Sequence, residues 1–303
     1  MIEPIVQQVP VNDVLHRFML ERAGVRGVLV RLGESWREIS SRADYPDQLR
    51  DLLGQSMAAS ALLTGNIKFE GSLSLEFRSD GPLRLMFAEC TDKGRLRGIA
   101  RWEGDLPTPL DLKDLPAAMM AITIGHPERG RYQGVVDLDA GSVADAIEGY
   151  FERSEQLPAR ILLAADGDQA VGLMLQPIPG EGGHSAAEDD ADAWDRVRAL
   201  TATLESSEML GTHPEELLYR LYHEETVRLY EPREVAFGCT CSRERVGTML
   251  RSLGRQEIES TLDQREGEIE VVCEFCAARY VFDRVDAEVL LSADPSENPG
   301  TLQ

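Results

Sequence analysis

Residues 72–102 read SLSLEFRSDGPLRLMFAECTDKGRLRGIARW, and this stretch predicts an antiparallel sheet. Its first seven residues alternate between apolar and polar, which is typical of a strand with one buried face. Asp80-Gly81 and Lys93-Gly94 are turn dipeptides. They divide the rest into two further strands, Leu83–Cys90 and Leu96–Trp102. The stretch therefore predicts a three-stranded meander.

Helix-like and strand-like patterns alternate on both sides of this meander. Before it, Arg26–Leu32 has the composition of a strand and Tyr45–Leu63 has apolar residues at helical spacing. After it, Ser142–Arg153 reads as a helix with a serine N-cap, and Ala159–Ala165 and Gly172–Ile178 read as strands. These patterns predict an α+β fold, with a mixed sheet-and-helix domain in the N-terminal part.

A composition change near residue 180 predicts a domain boundary and a helical linker. Residues 177–192, PIPGEGGHSAAEDDAD, are rich in glycine, proline and acid. Beyond them, an apolar helix face begins at Trp194, and Thr212-His-Pro-Glu215 predicts a capping box for a helix whose apolar positions reach Leu229. The predicted divisions are an N-terminal domain (1–180), an acidic helical linker (181–234) and a C-terminal module (235–303).

Four of the five cysteines lie in two tight pairs, Cys239-Thr-Cys241 and Cys273-Glu-Phe-Cys276. Zinc is bound by four thiolates arranged as a tetrahedron, and two short facing turns supply such ligands. The pairs therefore predict one zinc site formed by Cys239, Cys241, Cys273 and Cys276. Because a C-x-C pair can also close as a strained disulfide, both a structural site and a redox switch are consistent with the spacing.

The rest of the C-terminal module is short and predicts little core of its own. Ser242 is placed to cap a helix that runs through Leu253 and stops at Gly254, and Glu268–Val272 and Ala278–Phe282 predict a hairpin. A core of this size supplies about 3–5 kcal/mol. A four-cysteine zinc site contributes about 10–16 kcal/mol in peptides. Metal is therefore expected to decide whether the module folds, while the tail, Asp294–Gln303, has the composition of a disordered end.

Other motifs give no catalytic site. The sequence contains neither a Walker A nor a dinucleotide-binding glycine motif, so no nucleotide site is expected. Ser56 only faintly resembles a nucleophile elbow, because it lies within a helical pattern. Cys90 ends an apolar strand and is interpreted as a small buried hydrophobic residue. A thiol-disulfide enzyme based on Cys273–Cys276 stays a less favoured alternative.

The charge and composition of the chain exclude some classes of binding partner and indicate a compartment. The formal net charge is −22, and the cysteine module carries 7 basic and 13 acidic side chains. Nucleic-acid binding depends on neutralising phosphates, so no nucleic acid is expected as a partner. No apolar run suits a secretion signal or a membrane span. Cysteines at metal spacing favour a reducing compartment, which predicts a cytoplasmic protein.

The cysteine segments closely resemble those of the 33 kDa chaperonin family. The resemblance is carried by FGCTCSRER at 237–245 and VCEFC at 272–276. Upstream, RYQGVV at 131–136, YFERSEQLP at 150–158 and EETVR at 224–228 agree with it. The resemblance covers nearly the whole chain.

This resemblance implies a redox-regulated, ATP-independent holdase that binds unfolding client proteins and has no enzymatic active site. It implies that all four cysteines hold one zinc in the reduced, inactive protein. On oxidation it implies release of zinc, disulfides Cys239–Cys241 and Cys273–Cys276, and a homodimer. A zinc-stapled protein-interaction adaptor and a thiol-disulfide oxidoreductase remain the alternatives.

Overall fold

The computed structural model describes residues 13–126, 128, 130–136, 138, 141–178 and 192–292. The chain forms two compact units, Met1–Gly238 and Cys239–Gln303. Most of the predicted boundary, residues 179–191, lies outside the described residues, as does the tail from Asp294. The division into 1–180, 181–234 and 235–303 therefore stays a prediction.

Strands and helices alternate through the first unit, and a small hairpin with three helices forms the second, which confirms the predicted α+β class. The elements in chain order are β1 (Val14–Leu20), β2 (Val25–Leu32), α1 (Glu34–Ser40), α2 (Asp47–Asn66), β3 (Ser72–Arg78), β4 (Leu83–Thr91), β5 (Arg95–Trp102), β6 (Met119–His126), β7 (Gly130–Val136), α3 (Val143–Tyr150), β8 (Arg160–Ala165), β9 (Ala170–Pro177), α4 (Ala193–Ala202), α5 (Ser206–Gly211), α6 (Pro214–Tyr222), β10 (Val227–Leu229), β11 (Arg233–Glu234), β12 (Ala236–Phe237), α7 (Arg243–Leu253), α8 (Arg255–Gln264), β13 (Glu268–Val272), β14 (Arg279–Asp283) and α9 (Arg284–Ser292).

The first sheet joins strands from both ends of the first unit. Its order is β10-β1-β2-β9-β8, and β11 also pairs with β1. Strands β2 and β9 are antiparallel neighbours although about 140 residues separate them in sequence, with Val28 opposite Met174. The two predicted strands of residues 159–178 are thus confirmed, but their place in the sheet depends on long-range pairing.

The second sheet contains the predicted meander at its centre. Its order is β12-β5-β4-β3-β6-β7. Leu75 of β3 lies opposite Ala88 of β4, which in turn lies opposite Gly98 of β5. Strand β6 pairs with the other side of β3, and the short β12 adds in parallel to β5. The three strands read from 72–102 are confirmed, with β6 and β7 added beyond them.

Helix α2 packs against both sheets and forms the main core. It is buried around most of its circumference, because small and apolar residues occupy nearly all of its length. Met57 approaches Gly98 so closely that a Cβ there would lie 2.4 Å from the methionine sulfur. Leu62 leaves similarly little room at Gly172. Glycines in two strands thus permit the close contact between helix and sheets.

The second face of the first sheet is buried by residues 192–222, here called the covering segment. It comprises α4, α5 and α6. Its apolar side chains form one buried cluster with those of the sheet, including Phe18, Leu29, Leu173, Val197, Leu217 and Tyr222. The hydroxyls of Thr201 and Tyr222 lie 2.7 Å apart inside the segment. The acidic helices therefore have an apolar surface to pack on, which helices this short need.

Two details predicted for this region were wrong. The N-cap of α6 is His213, with Pro214 in the first turn, and no side chain caps the helix. Thr212 instead ends α5. Leu229 lies not in a helix but in β10, opposite Phe18 of β1. Proline restricts the residue before it to extended backbone, which shifts the helix start by one residue.

Among the described residues of the second unit, seven buried hydrophobic side chains form a small core: Val246, Leu250, Ile258, Leu262, Ile269, Phe282 and Ala287. The Ser242 hydroxyl accepts a hydrogen bond from the Arg245 amide and caps α7, as predicted. Gly254, at φ +87°, ends that helix. The hairpin of β13 and β14 is also confirmed, with Glu270 opposite Val281.

Candidate metal centre

The four paired cysteines lie on two loops of the second unit. Cys239 and Cys241 precede α7, whose first turn is fixed by the Ser242 cap. Cys273 and Cys276 lie in the loop that joins β13 to β14. There the Ala277 amide donates to the Cys273 carbonyl at 2.7 Å, and the Cys273 amide donates to the Ala278 carbonyl at 2.8 Å. These bonds fold the loop into a tight knuckle.

All four sulfurs converge within one small volume. The Sγ atoms of Cys239, Cys241, Cys273 and Cys276 lie within 4.8 Å of one another. Cys239 Sγ and Cys273 Sγ are 3.6 Å apart, and Cys241 Sγ and Cys276 Sγ are 3.3 Å apart. Sulfurs 2.3 Å from a tetrahedral zinc are separated by about 3.8 Å. The donor set and its spacing thus fit a four-cysteine zinc site.

A tyrosine hydroxyl completes the surroundings of one sulfur. Tyr280 Oη donates to Cys241 Sγ at 3.0 Å. Burial raises the pKa of Cys241, but hydrogen bonds from Tyr280 and the other cysteines outweigh it and lower that pKa to about 7. The same bond to Cys241 raises the pKa of Tyr280 to about 12, so the hydroxyl keeps its proton at neutral pH. Cys241 is therefore stabilised as a thiolate.

At two of the other cysteines, Cys239 and Cys276, burial is the main influence on the thiol pKa. Burial is the largest influence that raises the pKa of Cys239, and it raises that of Cys276 to about 12. Without a cation, these sulfurs favour the protonated form. Metal ligation requires thiolates, so a bound metal would have to displace those protons.

Arg243 ties the first cysteine loop to the hairpin and to α9. Its Nη1 donates to the Val281 carbonyl at 2.6 Å, and its Nη2 pairs with Asp286 at 2.6 Å. The guanidinium lies 4.3 Å from the ring centroid of Phe282. Sequence reasoning missed both Arg243 and Tyr280. The alternation of β14, which places Tyr280 and Phe282 on one face, could have indicated Tyr280, whereas no local pattern indicates the contacts of Arg243.

Cys90 is not a member of this cluster and belongs to β4 of the first unit. Its side chain is 1% exposed, as predicted for a buried residue. Burial raises its pKa to about 12. Cys90 is therefore a poor thiolate nucleophile in the folded protein.

The fold and centre define an α+β protein with a small four-cysteine module. A family model described as Hsp33 protein matches residues 13–283. The 33 kDa chaperonin of Nitrosococcus oceani is 46% identical over 281 residues, covering 93% of this chain and 95% of that protein. That of Shewanella sediminis is 44% identical over 282 residues, covering 93% and 96%. The chain belongs to the Hsp33, or 33 kDa chaperonin, family.

A solved structure agrees with the fold. The crystal structure of a 33 kDa chaperonin from Thermotoga maritima matches with a TM-score of 0.79 and 24% sequence identity. It covers 92% of this chain and 98% of that one. Among the described residues, none of the helices is both long and apolar enough to cross a membrane.

Proposed function

We propose that this protein is a redox-regulated, ATP-independent holdase that binds unfolding proteins under oxidative stress. In the reduced state, one zinc per chain is bound by Cys239, Cys241, Cys273 and Cys276, and the protein is inactive. Oxidation forms the disulfides Cys239–Cys241 and Cys273–Cys276, and the active form is a homodimer. Reduced thiols need a reducing compartment, so we place the protein in the cytoplasm.

One observation carries this proposal: four sulfurs lie within 4.8 Å of one another in a unit whose described residues form a core of seven buried hydrophobic side chains. Bound zinc would hold the four sulfurs as thiolates and join the two loops. Such a site contributes about 10–16 kcal/mol, and a core this small about 3–5 kcal/mol. Loss of the sulfur ligands would therefore unfold the second unit.

The redox step balances with hydrogen peroxide as the oxidant. Cys276, which bound zinc would hold as a thiolate despite its raised pKa, attacks peroxide and breaks the O–O bond, giving a sulfenic acid. Cys273 then attacks that sulfur, forms the S–S bond and displaces the second oxygen. Two thiolates lose two electrons, and with two protons both oxygens leave as water. A disulfide sulfur carries no negative charge, so it is a poor metal ligand.

The pairing of neighbours follows from chain connectivity rather than from distance. In the folded unit the 3.3 Å and 3.6 Å contacts join cysteines of different pairs. Once the unit unfolds, short loops close at lower entropic cost than long ones, which favours Cys239–Cys241 and Cys273–Cys276. Peptide mapping after peroxide treatment tests this. A dominant Cys241–Cys276 bridge would contradict it.

The client surface proposed here is the face of the first sheet beneath the covering segment. Phe18, Leu29 and Leu173 on that face are at most 1% exposed. Apolar surface of this kind, once uncovered, binds unfolding chains without directed chemistry. The net charge of −22 would keep the protein soluble while that face is open.

The alternatives differ in how they respond to oxidation. A zinc-stapled adaptor would lose its fold and its binding on oxidation. A thiol-disulfide enzyme based on Cys273–Cys276 would need a cysteine of lowered pKa in that pair. Here Cys273 and Cys276 lie in a hairpin loop, and burial raises the pKa of Cys276 to about 12. This favours the holdase over the enzyme.

The deciding experiment compares reduced, zinc-loaded protein with peroxide-treated protein. Each is mixed with a thermally aggregating enzyme without nucleotide, and light scattering is followed. The oxidised protein should suppress aggregation, and the reduced protein should not. Sedimentation should show a dimer after oxidation. Equal suppression by both forms, or by neither, would overturn the proposal.

A further inference from the structure

Arg31 of β2 is a buried cation that faces the covering segment. Its side chain shares a face of the strand with Leu29, and the residue is 4% exposed. Nη2 donates to the Met209 carbonyl at 2.7 Å and to the Thr212 carbonyl at 2.6 Å. Nη1 donates to the Leu210 carbonyl at 2.9 Å. Arg31 of the sheet thus donates hydrogen bonds to three backbone carbonyls of the covering segment.

Those carbonyls are the groups that the end of α5 leaves without partners. A helix cannot satisfy its last carbonyls internally, and its C-terminal end carries partial negative charge. Arg31 supplies both the donors and the opposite charge. Gln169 reinforces the arrangement, because it accepts from Arg31 Nη1 and donates to the Leu210 carbonyl at 2.8 Å.

Burial of the Arg31 charge beneath the docked covering segment carries a desolvation cost that its hydrogen bonds do not fully offset. All of the hydrogen-bond acceptors described for Arg31 are neutral amide oxygens rather than carboxylates. Its Nε has no partner among the described residues. A buried charge with incomplete bonding regains water when it is uncovered, so separation recovers part of the cost. Such a contact fixes position without making release prohibitive.

Apolar packing alone would not fix that position. The hydrophobic effect is non-directional, so Val197, Leu217 and Tyr222 favour burial without specifying where the segment lies. The arginine fork has fixed geometry and specifies one place for the end of α5. Without it, the Met209 and Thr212 carbonyls would be buried and lack donors in the docked state only, while the Leu210 carbonyl would keep the hydrogen bond from Gln169.

We propose that Arg31 is the positioning residue that latches the covering segment over the apolar face of the first sheet. This inference rests on the proposed function, since the latch matters for activity only if that face binds clients. Breaking it should release the segment in the reduced protein, with zinc still bound and no thiol oxidised.

The test uses Arg31→Met in the reduced, zinc-loaded, full-length protein. Hydrogen exchange in residues 192–222 should accelerate about tenfold or more, while β3–β5 keep their protection and zinc content is unchanged. Arg31→Lys keeps the charge but not the fork, and should lie between Met and wild type.

The matched control is Arg26→Met. Arg26 lies on the same strand, but it donates to Gln176 of β9 at 2.8 Å rather than to the segment. Its substitution should leave exchange in the covering segment within about twofold of wild type. Equal exchange in the Arg26 and Arg31 variants would overturn the latch.

Activity separates the latch from the client surface. Suppression of aggregation by the reduced Arg31→Met variant supports both the latch and the proposed client surface. A released segment without suppression, in a protein whose oxidised form is also inactive, supports the latch and overturns the proposed function. If Arg31→Met unfolds the whole first unit, Gln169→Met is the deciding variant. An acceleration of hydrogen exchange in residues 192–222 of about threefold in that variant supports the latch. Unchanged exchange in that variant overturns it.

Discussion

The two units differ in what can hold them together. In the first, α2 packs against two sheets, and a second cluster buries the outer face of one sheet. In the described part of the second, seven buried hydrophobic residues support three helices and a hairpin, and four cysteines lie on two of its loops. The first has the larger apolar core, and under the proposed function the second would depend on metal bound by its sulfurs. The proposed function therefore predicts that an oxidant unfolds the second unit and leaves the first intact.

The largest effect should come from removing zinc. In Cys273→Ser, the unit from Cys239 should lose hydrogen-exchange protection, because about 10–16 kcal/mol of metal binding is lost. Strands β3–β5 should keep theirs, and the covering segment should loosen. Metal analysis and hydrogen exchange measure both effects.

Cys90→Ser is the control for zinc content. Cys90 is buried in β4 and belongs to the first unit. Its substitution should leave one zinc per chain. If metal-free Cys273→Ser keeps a folded second unit with full hydrogen-exchange protection, the expectation that this unit needs zinc to fold is wrong.

A core substitution in the first unit should destabilise that unit and leave the second unit unchanged. Trp36 is fully buried and donates to the Asp166 carbonyl at 2.8 Å. Trp36→Ala should destabilise the first unit by about 3–5 kcal/mol, since it leaves a cavity and an unpaired carbonyl. Urea unfolding followed through sheet protection measures this, and zinc content should not change. Phe282→Ala is the mirror variant, whose exchange should rise only in the second unit.

A smaller effect is expected at the hydrogen bond to Cys241. Tyr280→Phe removes the donor 3.0 Å from Cys241 Sγ. Zinc affinity should fall about 10–100-fold, as is usual when a ligand loses an outer partner. Competition with a chelator measures it, and Tyr219→Phe, at an exposed tyrosine, is the control. Equal zinc affinities in the two variants would show that Tyr280 does not contribute to zinc binding.

The smallest effect concerns pH and the covering segment. His16 of β1 is 7% exposed. Burial lowers its pKa, while Glu215 opposes that shift and His213 adds to it. The unfolded chain therefore binds the proton more readily than the folded protein. Stability is fully present above the ordinary value of 6.5 and is lost as pH falls below it.

Protection factors of residues 192–222 should thus decrease modestly between pH 7.5 and roughly pH 5.5. The decrease should shrink in His16→Gln. His223→Gln, at an exposed histidine near the end of the segment, should behave as wild type. If His16→Gln keeps the full pH dependence, another group titrates.

Local patterns in the sequence were sufficient for several elements. The meander of 72–102, the caps at Ser142 and Ser242 and the stop at Gly254 were predicted, since alternation, capping side chains and glycine act within a few residues. The pairing of β2 with β9 and the strand β10 were not. Those contacts join residues far apart in sequence, and no local pattern encodes them.

The sequence by itself determined the family resemblance and the four sulfurs proposed as ligands. Cysteines in two tight pairs have few other uses in a small module, so residue type and spacing carry the information. Only the tertiary structure decided which groups surround them. Tyr280 reaches Cys241, and Arg31 reaches the end of α5, because separate elements meet there. The physical reason is that ligand identity is local chemistry, whereas hydrogen-bond partners depend on which distant segments pack together.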